Sequence, residues 1–365
     1  MKTYLVLVAA VLLAVPVTAA EDFEAIGTNY FFEQYMAPDA RSEGLGAAFT
    51  AVAEGPAGLY WNPATQLEGR TAAVGYHAAD QLLDDLKFTT LSAAVEVGYL
   101  RLGGWQSELS RDDLFVRTAY LPDGAFVTDF KSRVRAGGIA LDVGRLMFGE
   151  ETTLLASVGV NFKKFKTSWD GETSAQATDK DLGVIVGTRH FLGDSDDVHR
   201  GWVGWRLGGA LANTGEAEIE FSGATGGSKT PSTRLRQYGR VGLAIEGRHG
   251  WHCRLGHPLS WLIAADWQKS KLADGWSDET FSRYGVEVTL LGLASGRIGR
   301  ADASDATCVD GTTYGGGLTF APPGSRFGFR GDYASVPYAP PASEAPTLNG
   351  AQRLARYSAA VWLDF

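Results

Sequence analysis

The sequence predicts an all-β fold: a 14-stranded antiparallel transmembrane β-barrel with a small N-terminal segment folded into it. Three observations lead there. The chain opens on a short apolar leader. From residue 71 the dominant signal is period two, each stretch having one apolar face and one charged or tiny face. The connections between those stretches alternate between long polar loops and tight turns, as in outer-membrane barrels.

The leader is MKTYLVLVAAVLLAVPVTAA, one Lys followed by an apolar run that closes with Thr18 and Ala20 at the spacing a signal peptidase reads. Residues 1–20 are therefore a secretory signal peptide and stand outside the fold. A membrane anchor would need a longer run, unbroken by a residue such as Pro16. No Cys follows the cleavage site, which argues against a lipoprotein. The remainder is too long for one ordinary soluble core. It holds no later apolar run of the ~20 residues a transmembrane helix needs. A net charge of −9 argues against nucleic acid as a partner. Two cysteines, Cys253 and Cys308, make no disulfide scaffold.

Residues 21–70 precede the strands. The strands are expected near 71–79, 87–96, 99–110, 128–147, 152–168, 177–193, 202–221, 234–248, 260–272, 281–291, 294–303, 312–321, 325–337 and 351–365. In RQYGRVGLAIEGR, Val241, Leu243 and Ile245 share one face, opposite Arg236, Tyr238, Arg240, Glu246 and Arg248. In TLLASVGVNFK, Leu154, Ala156, Val158, Val160 and Phe162 oppose Ser157, Gly159, Asn161 and Lys163. SWLIAADWQ and RYGVEVTL alternate in the same way. Long polar links are expected at 111–127, 169–176, 222–233, 304–311 and 338–350. Tight turns are expected at Gly149-Glu150 and at Pro322-Pro323-Gly324-Ser325, with 249–259 an exception.

A soluble sandwich also alternates. Here, however, the polar face is mostly Arg, Asp, Glu, Gly and Ser, which suits a filled lumen. Aromatics collect near strand ends, and closure satisfies every strand edge, as hydrocarbon demands. The predicted lumen is charged: Asp142, Arg206, Arg236, Arg240, Glu246, Asp266, Arg283, Glu287, Arg297, Arg330, Asp332 and Arg356. The last stretch, ARYSAAVWLDF, puts Tyr357, Ala359, Val361, Leu363 and the C-terminal Phe365 on one face. This resembles the terminal signature that the outer-membrane barrel assembly machinery recognises.

An even strand count puts both chain ends at the periplasmic rim, so residues 21–70 have length enough to fold back as a lumenal hatch. The small residues of GLGAAFTAVAEGPAGL permit close approach to the wall. Ala47–Ala53 is expected to make a helical turn or two, ended by Gly55-Pro56, and Asn62-Pro63 a further turn. The run DARSEGLGAAFTAVAEGPAGLYWNPA resembles the N-terminal segment of the FadL-like outer-membrane proteins, especially the PorV/PorQ branch. KDLGVIVG, WRLGGALANTG, RYGVEVTL, GGGLTF and FRGDYASVPY look like successive strands of that family, in order. Two features depart from or refine the likeness. Thr65-Gln66 replaces a Gly-hydrophobic pair, and the chain is shorter than the classical transporters, which favours the PorV/PorQ branch.

The resemblance implies a barrel without enzymatic activity or cofactor, embedded in outer-membrane lipid of a diderm bacterium, with residues 71–365 as the barrel. PorV-type members hold exported cargo for type IX secretion. FadL-type members pass hydrophobic small molecules such as long-chain fatty acids or hydrocarbons. The charged lumen leans toward docking of exported cargo with secretion components, leaving a hydrophobic ligand channel as the alternative and a structural or adhesive surface barrel as the third reading. The hatch residues singled out for plugging or ligand contact are Gly44, Gly46, Phe49, Leu59, Tyr60, Trp61, Asn62 and Pro63.

Other chemistry is thin. His249, His252, Cys253 and His257 form a candidate zinc set, with a polar turn the plainer explanation. Asp194, Asp196 and Asp197 lack the Gly and closing Glu of a calcium loop. GLGAAF lacks a third Gly, a Lys-Ser/Thr pair and a preceding strand, so it is no phosphate cradle, and there is no G-x-S-x-G. Cys253 and Cys308 are expected as free thiols at opposite ends of the barrel, ~25 Å or more apart.

Overall fold

The computed structural model describes residues 31, 36–65, 71–79, 87–118, 121–149, 152–169, 172–192, 201–215, 217–221, 233–249, 259–272, 275–276, 280–302, 311–321, 325–338 and 352–364. The expected signal peptide at 1–20, Cys253, Cys308, His252, His257, the three loop aspartates and Phe365 lie outside them.

The wall is built from β1 (Ala72–Ala79), β2 (Lys87–Val97), β3 (Leu100–Thr118), β4 (Leu121–Asp142), β5 (Leu154–Trp169), β6 (Glu172–Leu192) and β7 (Gly201–Ala212). Three short strands, β8 (Glu218–Phe221), β9 (Thr233–Arg234) and β12 (Gly275–Trp276), sit beside it. The wall continues with β10 (Tyr238–His249), β11 (Leu259–Leu272), β13 (Phe281–Leu290), β14 (Ala294–Ala301), β15 (Gly311–Phe320), β16 (Phe327–Tyr338) and β17 (Gln352–Leu363). Each wall strand pairs antiparallel with the next, β7 pairs with β10 and β11 with β13, and β17 returns to β1 through Ala72↔Leu363 to Ala78↔Tyr357. The 14 wall strands therefore close a cylinder, and among the described residues each has a paired neighbour on both sides, the condition hydrocarbon imposes.

The faces decide which way the cylinder is turned. Val241, Leu243 and Ile245 are 52%, 38% and 41% exposed, whereas Arg206, Asp266 and Arg356 are buried. Apolar side chains point out and charged ones point in, the reverse of a water-soluble barrel. Tyr357, Val361 and Leu363 lie on the outward face.

The two rims differ. At the rim that carries both ends of the wall, three residues join β13 to β14, and Leu291 (φ 54°) and Gly292 (φ 66°) are the central pair of a turn closed by Leu293 N donating to Leu290 O at 2.9 Å. Positive φ at both central positions matches the twist of the flanking strands. Also at this rim, residues 143–147 depart from the expected strand and make helix α3 (Val143–Phe148). Asp142, placed in the lumen by the sequence, caps it by accepting Arg145 N at 2.9 Å, and Gly149 ends it.

At the far rim, 111–127 and 169–176 are largely strand rather than loop. β3 and β4 pair onward to Thr118↔Leu121, and β5 and β6 to Trp169↔Glu172. β4 has 22 residues, about twice the 9–11 that a membrane crossing takes. The expected strand 202–221 is two: β7 ends at Ala212, just before Asn213 (φ 57°), and β8 crosses to pair with β6.

Along β3 to β6 the alternation inverts. On β5, Val158 and Phe162 are exposed outward while Gly159, Asn161 and Lys163 face in. Two residues further on, Lys164 and Lys166 face out and Phe165 faces in. On β4, Ile139 faces out below, and above it Arg135 and Arg133 face out while Val134 faces in. Apolar side chains follow hydrocarbon below this level and the barrel's own interior above it.

Candidate functional site

Residues 36–65 lie within the cylinder and touch its wall on most sides. Helix α1 (Ala40–Gly44) is capped by Asp39, whose carboxylate accepts Ser42 N at 2.8 Å. Ala40 N donates to Ser358 Oγ at 3.2 Å, and Thr313 Oγ1 donates to Gly44 O at 3.2 Å, so α1 rests on β15 and β17. The chain then turns through Gly46 (φ 67°) and Ala47 (φ 62°). A Cβ on Gly46 would stand 2.6 Å from the Arg300 backbone N, so both conformation and space call for glycine. From the wall side, a Cβ on Gly285 would lie 2.8 Å from Leu45 Cα, and one on Gly299 would overlap Gly46 N.

No helix forms at Ala47–Ala53. Those residues make a single turn closed by Ala53 N donating to Phe49 O at 2.7 Å. The wall supplies the reason: Asp266 Oδ2 accepts both Phe49 N (2.9 Å) and Thr50 N (2.8 Å), and Arg206 Nη1 donates to Val52 O (3.0 Å). Wall side chains thus satisfy backbone groups that a helix would have used. Arg101 on β3 does the same for Gly55 O at 2.6 Å and also donates to Thr65 Oγ1 at 2.9 Å.

Helix α2 (Gly58–Trp61) carries Leu59, Tyr60 and Trp61, all buried. Asn161 Nδ2 donates to Leu59 O at 2.7 Å. Asn62 is the junction: its Nδ2 donates to Thr50 O (3.1 Å) and to Val184 O on β6 (3.0 Å), and its Oδ1 accepts Ala64 N (3.0 Å). Pro63 packs where Gly159 and Gly183 leave room on β5 and β6.

The charged wall grips this inner segment. Arg41 donates to Glu287 from Nε (3.0 Å) and Nη2 (2.8 Å) and pairs with Glu54. Glu287 also pairs with Arg297 and with Arg330 (3.4 Å), and both arginines reach Asp332, at 2.8 and 2.9 Å. Burial pulls the Arg41 guanidinium down, but Glu287 and Glu54 outweigh it and hold it well above its ordinary value. Among the described residues, Glu43 pairs with Arg356 alone, at 3.3 Å, and its second oxygen has no partner. Burial, with Asp39 nearby, pushes it up to about 7. Elsewhere Arg206 bonds Glu246 at 2.7 Å, and Arg240 lies over the rings of Tyr60 (5.4 Å), Trp61 (5.0 Å) and Tyr238 (4.7 Å). Burial, opposed by Arg240, raises the Tyr60 hydroxyl. Arg283 is buried, with Asp266 opposite it across β11 and β13. Arg236 lies half-buried just before β10.

Below the inner segment, toward the rim carrying the wall's ends, is a cavity of about 380 Å³ lined by Arg41, Glu54, Glu246, Glu287, Arg330 and Asp332, among others. Above it an apolar cluster fills part of the lumen, beside buried polar side chains that include the Lys163–Asp181 pair (2.6 Å). Trp105, Val134, Phe165, Ile219 and Leu235 pack with Phe31, Leu59, Tyr60 and Trp61. Beside them Phe88, Leu109, Val336 and Leu354 pack around Met36. Sequence reasoning found the charged half and missed this one. It also missed Arg41, Glu43 and Arg101, although Arg101 was legible from the period-two face of its strand, and it set Asn161 on the polar face without giving it a role. Of the candidate zinc set only His249 is described, at the end of β10.

No family model matches the chain, and no curated relative matches it. Solved structures do. The toluene transporter TbuX of Ralstonia pickettii is 12% identical, over 91% of this chain and 100% of its own, with a TM-score of 0.43. The toluene transporter TodX of Pseudomonas putida is 12% identical, over 90% and 98%, at 0.42. The monoaromatic hydrocarbon channel CymD is 10% identical, over 90% and 98%, at 0.41. At these scores the likeness is one of barrel shape, and the finer PorV/PorQ expectation gains no support from it.

Proposed function

We propose that this barrel passes hydrophobic small molecules across an outer membrane and that residues 36–65 act as its hatch. The observation that supports this reading is the apolar cluster of the upper lumen: Trp105, Val134 and Phe165 pack with Phe31 and with the hatch's Leu59 and Trp61, and beside them Phe88 and Leu109 pack around its Met36. An apolar solute entering from the far rim meets surface that accepts it, and the side chains it must replace belong to the hatch. The charged half, which led the sequence toward cargo docking, instead serves to hold the hatch and to line a wet exit. The work is partition and displacement, without covalent chemistry. Outer-membrane lipid and the barrel assembly machinery are the partners such a protein needs.

The test is uptake of a labelled hydrocarbon or long-chain fatty acid by a host lacking its own channel. Expression raises uptake. A disulfide engineered between Ala40→Cys and Ser358→Cys, which face each other across the hatch–wall contact, stops it, and reduction restores it. Unchanged uptake overturns the reading. Unchanged uptake in a deletion strain that instead loses surface attachment of exported proteins favours docking of cargo, the order the sequence first gave.

A further inference from the structure

We infer that the outward face of β4, β5 and β6, just above the level where the alternation inverts, binds the phosphorylated headgroup of a lipid in the extracellular leaflet. The inference concerns the outer wall and makes no use of the uptake reading.

The register builds the patch. Arg135 on β4 stands opposite Lys164 on β5, Arg133 opposite Lys166, and Lys180 on β6 opposite Phe162. All five cations lie on the outward face of their strands, and Arg135, Lys164, Lys166 and Lys180 are exposed. Of their neighbours on the same face, Glu108 bonds Arg133 at 2.7 Å and Gln106, which is neutral, bonds Arg135 at 2.8 Å. Thr178 and Gln176 complete the tier opposite Lys164 and Lys166. Among the described residues, Lys164, Lys166 and Lys180 have no acidic partner. Gln176 in turn donates to Glu220 of β8 at 2.7 Å, so a chain of net charge −9 gathers five cations against two carboxylates, Glu108 and Glu220, on this part of its wall.

Position identifies the occupant. Phe162, 64% exposed, and Leu182, 38% exposed, are the last outward apolar side chains on β5 and β6. Lys164 and Lys180 follow them directly on the same face. The patch is therefore continuous with the lipid-facing belt, at the depth where a lipid's acyl chains give way to its headgroup. Two cationic tiers one side-chain repeat apart, on twisted strands, suit a headgroup bearing phosphates rather than a single carboxylate. A soluble polyanion would satisfy the charge, but it would leave Phe162 and Leu182 without the acyl chains that the belt requires.

The test uses the full-length protein in a non-ionic detergent, titrated with a diphosphorylated lipid A and read by native mass spectrometry. Each basic residue near an anionic surface contributes roughly a factor of five, so Lys164→Gln/Lys166→Gln/Lys180→Gln together weaken binding about a hundredfold. Lys269→Gln, an exposed outward lysine on β11, leaves it unchanged. Dephosphorylated lipid A binds wild type and triple variant alike. Equal affinity of the triple variant for the phosphorylated lipid overturns the proposal. So does competition by inorganic phosphate at concentrations near that of the lipid, which would make the site one for free anions. Circular dichroism and the heat-dependent gel shift of folded barrels confirm that the triple variant is folded.

Discussion

Arg41, in the inner segment, donates two hydrogen bonds to Glu287 on β13, from Nε at 3.0 Å and Nη2 at 2.8 Å. The pair joins elements that share no backbone hydrogen bonds, and it is the centre of a network reaching Glu54, Arg297, Arg330 and Asp332. Removing Arg41 takes the two-toothed partner from Glu287 and leaves the carboxylate to Arg297 and Arg330 alone, in a buried network whose charges are no longer arranged as built.

Arg41→Met therefore loosens the inner segment by ~3 kcal/mol, while Arg41→Met/Glu287→Met costs less than the sum of the two single changes. Limited proteolysis of the segment in the folded barrel measures this. Equal protection in wild type and Arg41→Met would contradict it.

The Glu43 carboxyl gives the same contact a pH dependence. Its folded value of about 7 stands above its ordinary value of 4.5, so the folded cluster prefers the protonated form. That stabilisation is complete below about pH 4.5 and is lost as the pH rises through about 7, a difference of roughly 3 kcal/mol. Asp39, also raised by burial, acts in the same direction. Hydrogen exchange of α1 should slow as the pH falls from 8 to 5, once corrected for the intrinsic rate. Glu43→Gln should flatten most of that slope, and an unchanged slope would place the titration elsewhere.

Gly299→Val adds side-chain atoms where β14 meets the backbone of Leu45 and Gly46. The β14 backbone cannot retreat without breaking its pairing with β13 and β15, so the inner segment gives way. The expected result is a barrel that still folds, with higher single-channel conductance in planar bilayers. A conductance equal to wild type would show that the segment does not occlude the path.

Ile263→Arg tests the outer face. Ile263 is 50% exposed and pairs with Ile245 and Val286 in the outward belt. A charge there costs ~2–4 kcal/mol in a bilayer, depending on depth. Urea unfolding in lipid vesicles and in detergent separates the cases: the loss appears in vesicles and shrinks in detergent. A loss of equal size in both would assign the cost to packing between strands.

The barrel was legible because its signal is local. Val241, Leu243 and Ile245 show their common face within five residues, and all fourteen wall strands lie close to where period two puts them. The departures have physical causes. Residues 111–127 and 169–176 look like loop because, above the hydrocarbon, outward side chains such as Lys164 and Arg135 turn polar, although backbone pairing continues. The apolar upper lumen went unseen for the same reason: Phe165 and Val134 lie on the face that carries polar residues lower down. In the inner segment the glycines and Asn62 stood out, but the fold of Ala47–Ala53 did not. Its hydrogen-bond partners, Asp266 and Arg206, are more than 150 residues away in sequence.

The pairing of β1 with β17 has a consequence for biosynthesis. The cylinder cannot shut until β17 has been made, whereas the stretch it encloses precedes every wall strand in the chain. An early-made polypeptide must therefore wait, unshielded, while some three hundred residues are laid down around it. A chain truncated before β17 leaves that stretch with no finished chamber to occupy.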